Sequence, residues 1–216
     1  MSAILSNVDA AEMMLDAGDR GSAELRRILN DIRDDDLRAS EVIRKLRNLL
    51  RKGESDFQSL DLNDVVREVL ELARGDLVTR NVVVVRELAQ DLPHVRGDRV
   101  QLQQVLLNLV LNACEAMGAQ ERGERKLRIA THGEPYGNVV AAVQDSGPGV
   151  PFDMRDRVFE PFQTSKSSGL GLGLAICRTL VMSHGGRVWV GEGESGGALF
   201  QISLPSGEER PAPPSE

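Results

Sequence analysis

The stretch QLQQVLLNLVLNACEAM, Gln101 to Met117, constrains the fold more than any other, because its apolar residues can be buried together only on one side of a helix. Leu102, Val105, Leu106, Leu109, Val110 and Ala113 recur at helical spacing. Asn108 and Asn112 stand four apart, so both amides project from the same edge. An amide oxygen next to phosphate oxygens is the kind of hard ligand Mg2+ accepts. Downstream lie DSGPGV, Asp145 to Val150, and GLGLGLA, Gly169 to Ala175, with the lysine loop FEPFQTSKSS, Phe159 to Ser168, between them. In that order the pieces read as a nucleotide-phosphate site.

A chain of 216 residues, 41% hydrophobic, can bury a real core, and its length predicts two units. The net charge of -7 argues against nucleic acid or an anionic membrane surface as the main partner, since both want a basic face. Cys114 and Cys177 both fall in apolar helical runs and read as reduced, buried, small hydrophobes, which fits a cytoplasmic location. The N-terminus has no basic start followed by an apolar stretch. No apolar run approaches the roughly 20 residues of a membrane span, so no membrane contact is expected from this chain.

Residues 1–54 predict a helical hairpin, Ser2 to Leu15 and Ala23 to Lys52, turned at Gly18 and Gly21. In the second helix Leu25, Ile28, Ile32, Ala39, Val42, Leu46 and Leu49 follow a three-four alternation, a bundle seam widened by Leu29, Ile43 and Leu50. A hairpin cannot cover so wide a stripe alone, so pairing with a second copy into a dimeric four-helix bundle is the economical solution. Packing of the stripe on the rest of the same chain is the alternative. The acidic run Asp34 to Asp36 reads as a solvated helix face.

Residues 55–206 predict a second domain of α+β class. A short strand near Leu60, a helix from about Asn63 to Ala73 and the β-branched run Val82 to Val85 open it. Strands fit Leu127 to Thr131, Val139 to Gln144, Arg187 to Val190 and Ala198 to Leu204, with helices at 99–117 and roughly 172–183. That pattern suggests a two-layer α/β sandwich, helices on one face of a mixed sheet. The tail, residues 207–216, has the composition of a disordered end.

Asp145 follows the strand VVAAVQ, and a carboxylate in such a turn can accept a hydrogen bond from an exocyclic amine like that of adenine. Gly147 and Gly149 let the backbone approach a planar base without a Cβ in the way. By itself Asp-Ser-Gly is also ordinary turn chemistry. The glycines of GLGLGLA open an amphipathic helix, Leu174, Ala175, Ile176, Leu180 and Val181, whose first N–H groups form an anion site. Close packing of a glycine-rich turn on a sheet is the other explanation. Lys166 can reach a terminal phosphate from a loop that closes as a lid, or stand solvated on the surface. There is no GxxxxGK[ST] loop, and His94, His132 and His184 lack metal-ligand spacing. His184, before Gly185 and Gly186, reads as a helix cap.

Taken together, NLVLNACEAM, DSGPGV, FEPFQTSK and GLGLGLA resemble the four sequence boxes of the sensor histidine kinase catalytic domain of two-component systems, over about Leu60 to Pro205. That domain is of the superfamily shared with DNA gyrase, HSP90 and MutL. The resemblance implies ATP and Mg2+ as ligands. Asn112 would ligate the metal, Asn108 would line the phosphates and Asp145 would hold the adenine amine. Gly147 and Gly149 would border the base, Phe159 and Phe162 would anchor the lid, Lys166 would meet the phosphates, and Gly169, Gly171 and Gly173 would cradle them. Where hydrolytic members carry a glutamate one turn before the metal-binding asparagine, this chain has Asn108. An amide is a poor general base, so transfer to another nucleophile is expected over hydrolysis, with Asn108 and Lys166 as the catalytic pair.

The hairpin is similar to the kinase dimerisation and phosphoacceptor region, which implies a homodimer and docking of a response-regulator receiver domain. Residues 1–93 contain no histidine, so the chain is expected to start beyond the acceptor and not to phosphorylate itself. A non-enzymatic dimeric adaptor that docks a response-regulator domain is the alternative reading.

Overall fold

The computed structural model describes Ala11 and residues 27–32, 56–118, 123–135, 137–163, 171–193 and 196–207. The chain divides into two units, Met1–Lys52 and Gly53–Glu216. In the first, Ala11 and residues 27–32 are helical. The rest of the expected hairpin, with Asp34 to Asp36, and the tail after Gly207 lie outside the described residues.

The second unit runs β1 (Phe57–Leu60), α1 (Leu62–Leu72), α2 (Arg74–Thr79), β2 (Val82–Leu88), β3 (Val95–Asp98), α3 (Arg99–Gly118), β4 (Arg125–Gly133), β5 (Val139–Asp145), two single-turn 3-10 helices (Phe152–Met154 and Arg157–Phe159), α4 (Gly173–Ser183), β6 (Arg187–Glu192) and β7 (Ala198–Leu204). The last strands form a five-stranded sheet in the order β2-β4-β5-β7-β6. Only the β2–β4 pair is parallel, so the sheet is mixed, as the sequence suggests. β1 and β3 pair antiparallel in a small separate sheet.

Register decides which side chains meet the helices. Ile129, Val143 and Phe200 stand in one cross-strand row, and Thr131, Ala141 and Ile202 in the next. Helices α1, α3 and α4 lie over that face, and α3 packs between α1 and α4 as well as on β5. This triple contact explains why α3 is apolar on more than one stripe. Leu102, Val105, Leu106, Leu109, Val110, Ala113, Cys114 and Met117 are all buried. Each large apolar side chain so removed from water contributes roughly 1.5–3 kcal/mol.

Polar groups inside the sandwich are paired. Asp61 caps α1 by accepting the Asn63 N–H at 2.8 Å, and the Asn63 amide donates to the Ala89 carbonyl at 2.9 Å. Thr131 completes the circuit by donating to Asn63 Oδ1 at 2.7 Å and accepting from the Ala89 N–H at 3.1 Å. The network fixes the chain after β2 to the middle of the sheet. β3 and α2 are not expected from the sequence. VRGD carries a glycine and an aspartate, and RGDLVT combines glycine with β-branched residues, so neither has a clean period.

Candidate functional site

Asn108, Asn112 and Ala116 follow one another at four-residue steps along α3, so they form a stripe of about 6 Å per step. Its two ends are placed by their neighbours. Asn108 lies beside the Cys177 thiol of α4, whose pKa it draws down, while Ala116 lies under the turn after β5, where a Cβ on Gly147 would stand 3.4 Å from it. Asn112 is half-buried between them. The helix thus carries one amide beside α4 and a second on the way to the Asp145 turn.

Asp145 is 2% exposed at the end of the central strand. Its Oδ1 accepts the Gly147 N–H at 2.8 Å and the Ala198 N–H at 3.2 Å. Gly147 must lack a side chain for steric reasons alone, since its Cβ would come 2.8 Å from that same oxygen. Gly149 has φ +77°, a conformation that favours glycine, and sits against the Gly197 carbonyl. Ser146 braces the turn from the other side, donating to the Glu124 carbonyl at 3.0 Å and accepting the Lys126 N–H at 3.0 Å.

At the other end, Phe159 is buried and meets Phe200 edge to face at 6.2 Å, which ties the segment after the 3-10 helices to the core. Phe162 is 74% exposed with φ +66°. Its N–H donates to the Gly171 carbonyl at 3.0 Å, so the chain on either side of residues 164–170 is held together. Lys166 and Gly169 fall in that stretch, outside the described residues.

Gly171 and Gly173 differ in kind. At Gly171 φ is +65° and a Cβ would lie 2.6 Å from Phe162 backbone carbon, so packing within the chain requires the glycine. A Cβ on Gly173 would meet no described atom within 4 Å. Close packing among the described residues therefore does not account for it. Helix α4 begins there with no capping side chain among the described residues, since Leu172 occupies the cap position. A start with no described side chain as its cap, at the positive end of the helix, is suited to an anion.

The remaining titratable groups near the site are structural. Burial pushes the Cys177 thiol up to about 12, more than its Asn108 hydrogen bond draws it back, and its Sγ donates to the Val105 carbonyl at 3.6 Å. Burial likewise raises the Cys114 thiol. Both are free and buried, as expected. His184 caps α4 as predicted and does more: Nδ1 donates to the Leu180 carbonyl at 2.7 Å and Nε2 accepts the Asp98 N–H at 3.0 Å. Its ring stacks on Phe57 at 4.8 Å. A shallow depression lined by Phe57, Arg96, His184, Pro205, Ser206 and Gly207 lies at this far end of α4, away from the asparagine stripe and Asp145. Among the described residues, no group of three or more His, Cys, Asp or Glu side chains could hold a metal, and no helix is long and apolar enough to cross a membrane.

The asparagine stripe, the Asp145 turn and the start of α4 were expected to form the site. The contribution of Gly197 and Ala198 was not. Their only sequence signal is the glycine pair in EGESGGA, which reads as any hairpin turn.

Residues 97–208 match the family model described as histidine kinase-, DNA gyrase B-, and HSP90-like ATPase. The chain is 34% identical over 209 residues to the sensor protein FixL of Bradyrhizobium diazoefficiens, covering 96% of this chain and 41% of FixL. Among solved structures, the catalytic domain of histidine kinase ThkA superposes with a TM-score of 0.62 at 35% identity, covering 70% of this chain and 96% of that one. ThkA in complex with the response regulator protein TrrA matches with a TM-score of 0.67 at 25% identity, over 94% of this chain and 58% of that one. Full-length ShkA in complex with AMPPNP gives a TM-score of 0.70 at 27% identity, over 88% of this chain and 40% of ShkA. The chain spans between 21% and 41% of the length of the curated relatives it matches first.

Proposed function

The chain belongs to the histidine kinase-, DNA gyrase B-, and HSP90-like ATPase family, and from that premise we propose that residues 55–206 form the catalytic domain of a sensor histidine kinase that binds Mg-ATP and transfers its γ-phosphoryl to a histidine. The observation that carries the reading is the pairing of a pinned, buried Asp145 with an uncapped α4 at Gly173, which no packing among the described residues explains. The asparagine stripe joins the two.

In this reading Asp145 accepts a hydrogen bond from the adenine amine, Gly147 and Gly149 leave room for the base, and the N–H groups at Gly173 bind phosphate oxygens. Phe159 anchors the segment that bears Lys166, and Lys166 with Gly169 and Gly171 completes the phosphate surround. Asn112 offers a hard amide oxygen, which fits Mg2+, an ion that would offset the charge of the phosphates. Asn108 lines the phosphates. As an amide it is a poor base toward water, which favours transfer to a nucleophile over hydrolysis. Catalysis then rests on positioning and electrostatics.

In this reading the chain lacks an acceptor histidine of its own in the helical region. Residues 1–93 contain none, and His184 has both ring nitrogens engaged. Residues 1–54 would dimerise as a four-helix bundle and dock a receiver domain, in line with the ThkA complex. Residues 207–216 would be an appended tail, and the setting cytoplasmic.

A fluorescent ATP analogue should bind, and Asp145→Asn or Asn112→Ala should weaken it by about 10- to 100-fold, the range for a lost hydrogen bond to a charged group. Unchanged affinity in both variants would remove the site assignment. Mixed with a nucleotide-site-dead kinase partner that keeps its acceptor histidine, the chain should label that partner from γ-labelled ATP. Heterodimers without label would favour the adaptor reading.

A further inference from the structure

We propose that the β6–β7 hairpin is the specificity-determining wall of the base site, with Gly197 and Ala198 as positioning residues that aim the Asp145 carboxylate through backbone atoms alone. The inference rests on the reading of Asp145 as the partner of the purine amine.

Two N–H groups meet at Asp145 Oδ1. The Gly147 N–H comes from two residues away and leaves the carboxylate able to swing with its own turn. The Ala198 N–H arrives from a different strand, 53 residues away, and fixes that turn to the sheet. With one oxygen held from two directions, the plane of the carboxylate and the direction of its second oxygen are set before any base enters. Pre-setting an acceptor in this way converts a flexible anion into a selective one.

Gly197 makes the contact possible. Its φ is +77°, and a Cβ there would lie 2.0 Å from the Asp145 carbonyl oxygen and 3.1 Å from Oδ1. No side chain fits. Gly149 in turn rests on Gly197, its Cβ position 3.2 Å from the Gly197 carbonyl, so the two turns that flank the base interlock glycine on glycine. The hairpin is itself braced: the Gly193 N–H donates to the Gly197 carbonyl at 3.2 Å and the Gly196 N–H to the Gly193 carbonyl at 3.0 Å. Gln144, beside Asp145, closes against Gly193, where a Cβ would stand 2.5 Å from its amide nitrogen. The contacts that Gly197 and Ala198 make with Asp145 thus run through the backbone, and they encode selectivity by aiming the carboxylate.

The test compares the affinity of ATP with that of purine riboside triphosphate, which lacks the exocyclic amine. The unmodified protein should prefer ATP by about tenfold, and a ratio near one would overturn the Asp145 reading and this inference with it. Given that preference, Gly197→Ala should bring the ratio to within about twofold, the loss of one charged hydrogen bond's orientation. Replacing the Ala198 backbone amide by an ester deletes the single N–H and should do the same, and it decides the matter if Gly197→Ala does not fold. A purely structural role predicts that both triphosphates weaken equally with the ratio intact, and that result would overturn the proposal while leaving the Asp145 assignment standing.

Discussion

The two ends of the proposed nucleotide site are built on opposite plans. At the base end, Asp145 is almost wholly buried, its carboxylate is fixed by two N–H groups, and the glycines around it interlock. At the phosphate end, Phe162 is mostly exposed, one backbone hydrogen bond joins it to Gly171, and α4 starts without a capping side chain. Preorganisation is concentrated where selectivity is needed. The phosphate end instead leaves the first N–H groups of α4 without a capping side chain among the described residues, which in the proposed site makes it the place where a ligand contributes most to order.

The largest test of this contrast separates the two ends by ligand. Gly171→Ala places a methyl 2.6 Å from the Phe162 backbone at positive φ, so it should weaken binding of an ATP analogue and slow phosphoryl transfer by about 100-fold, the cost of a small misplacement near the reacting group. Adenosine affinity should stay within about twofold. Equal losses for adenosine and ATP in titrations of this variant would mean that the two ends are one mechanical unit.

A smaller effect probes how firmly α4 is seated. The Cys177 thiol, buried and pushed up to about 12, should react with a maleimide only at the rate of global unfolding, as should the buried Cys114. Faster labelling of Cys177 alone, slowed by ATP, would place a local opening at the phosphate end.

The smallest concerns a third region, the sheet surface away from the helices, where Glu134 accepts from Ser203 at 2.9 Å and pairs with Arg187 at 2.9 Å. The Ser203 hydrogen bond, followed by those of Asn138 and Arg187, holds the Glu134 carboxyl below its ordinary value of 4.5. A depressed folded value means the group stabilises the protein above 4.5 and loses that contribution as the pH falls through the folded value. Glu134→Gln should therefore lower the melting temperature slightly at neutral pH, the gap closing in acid, with nucleotide affinity unchanged. A change in affinity would tie this surface to the site.

What could be read from the chain beforehand divides along the same physical line. Local periodicity marks α3, whose apolar residues repeat every turn, and the β-branched strands β2 and β5. The asparagine stripe follows from spacing alone. Contacts that depend on the topology leave no such trace. Ala198 reaches Asp145 from 53 residues away, and His184 accepts from Asp98 across 86. Gly171 and Gly173 look alike in GLGLGLA, yet one is demanded by Phe162 and the other by nothing within the described chain. β3 stayed hidden because a short strand with Gly97 and Asp98 carries little pattern, and its place is settled by pairing with β1 and by His184 against Gly97.

The bond from the Phe162 N–H to the Gly171 carbonyl gives the intervening segment the status of a cassette. Because the two mouths of that segment are already clasped when the domain folds, the entropy of bringing them together is met once. Each doubling of its length adds only about 0.6 kcal/mol. Longer or shorter stretches between those two residues would thus differ little in closure entropy, and in the proposed site that stretch is the one beside the phosphates.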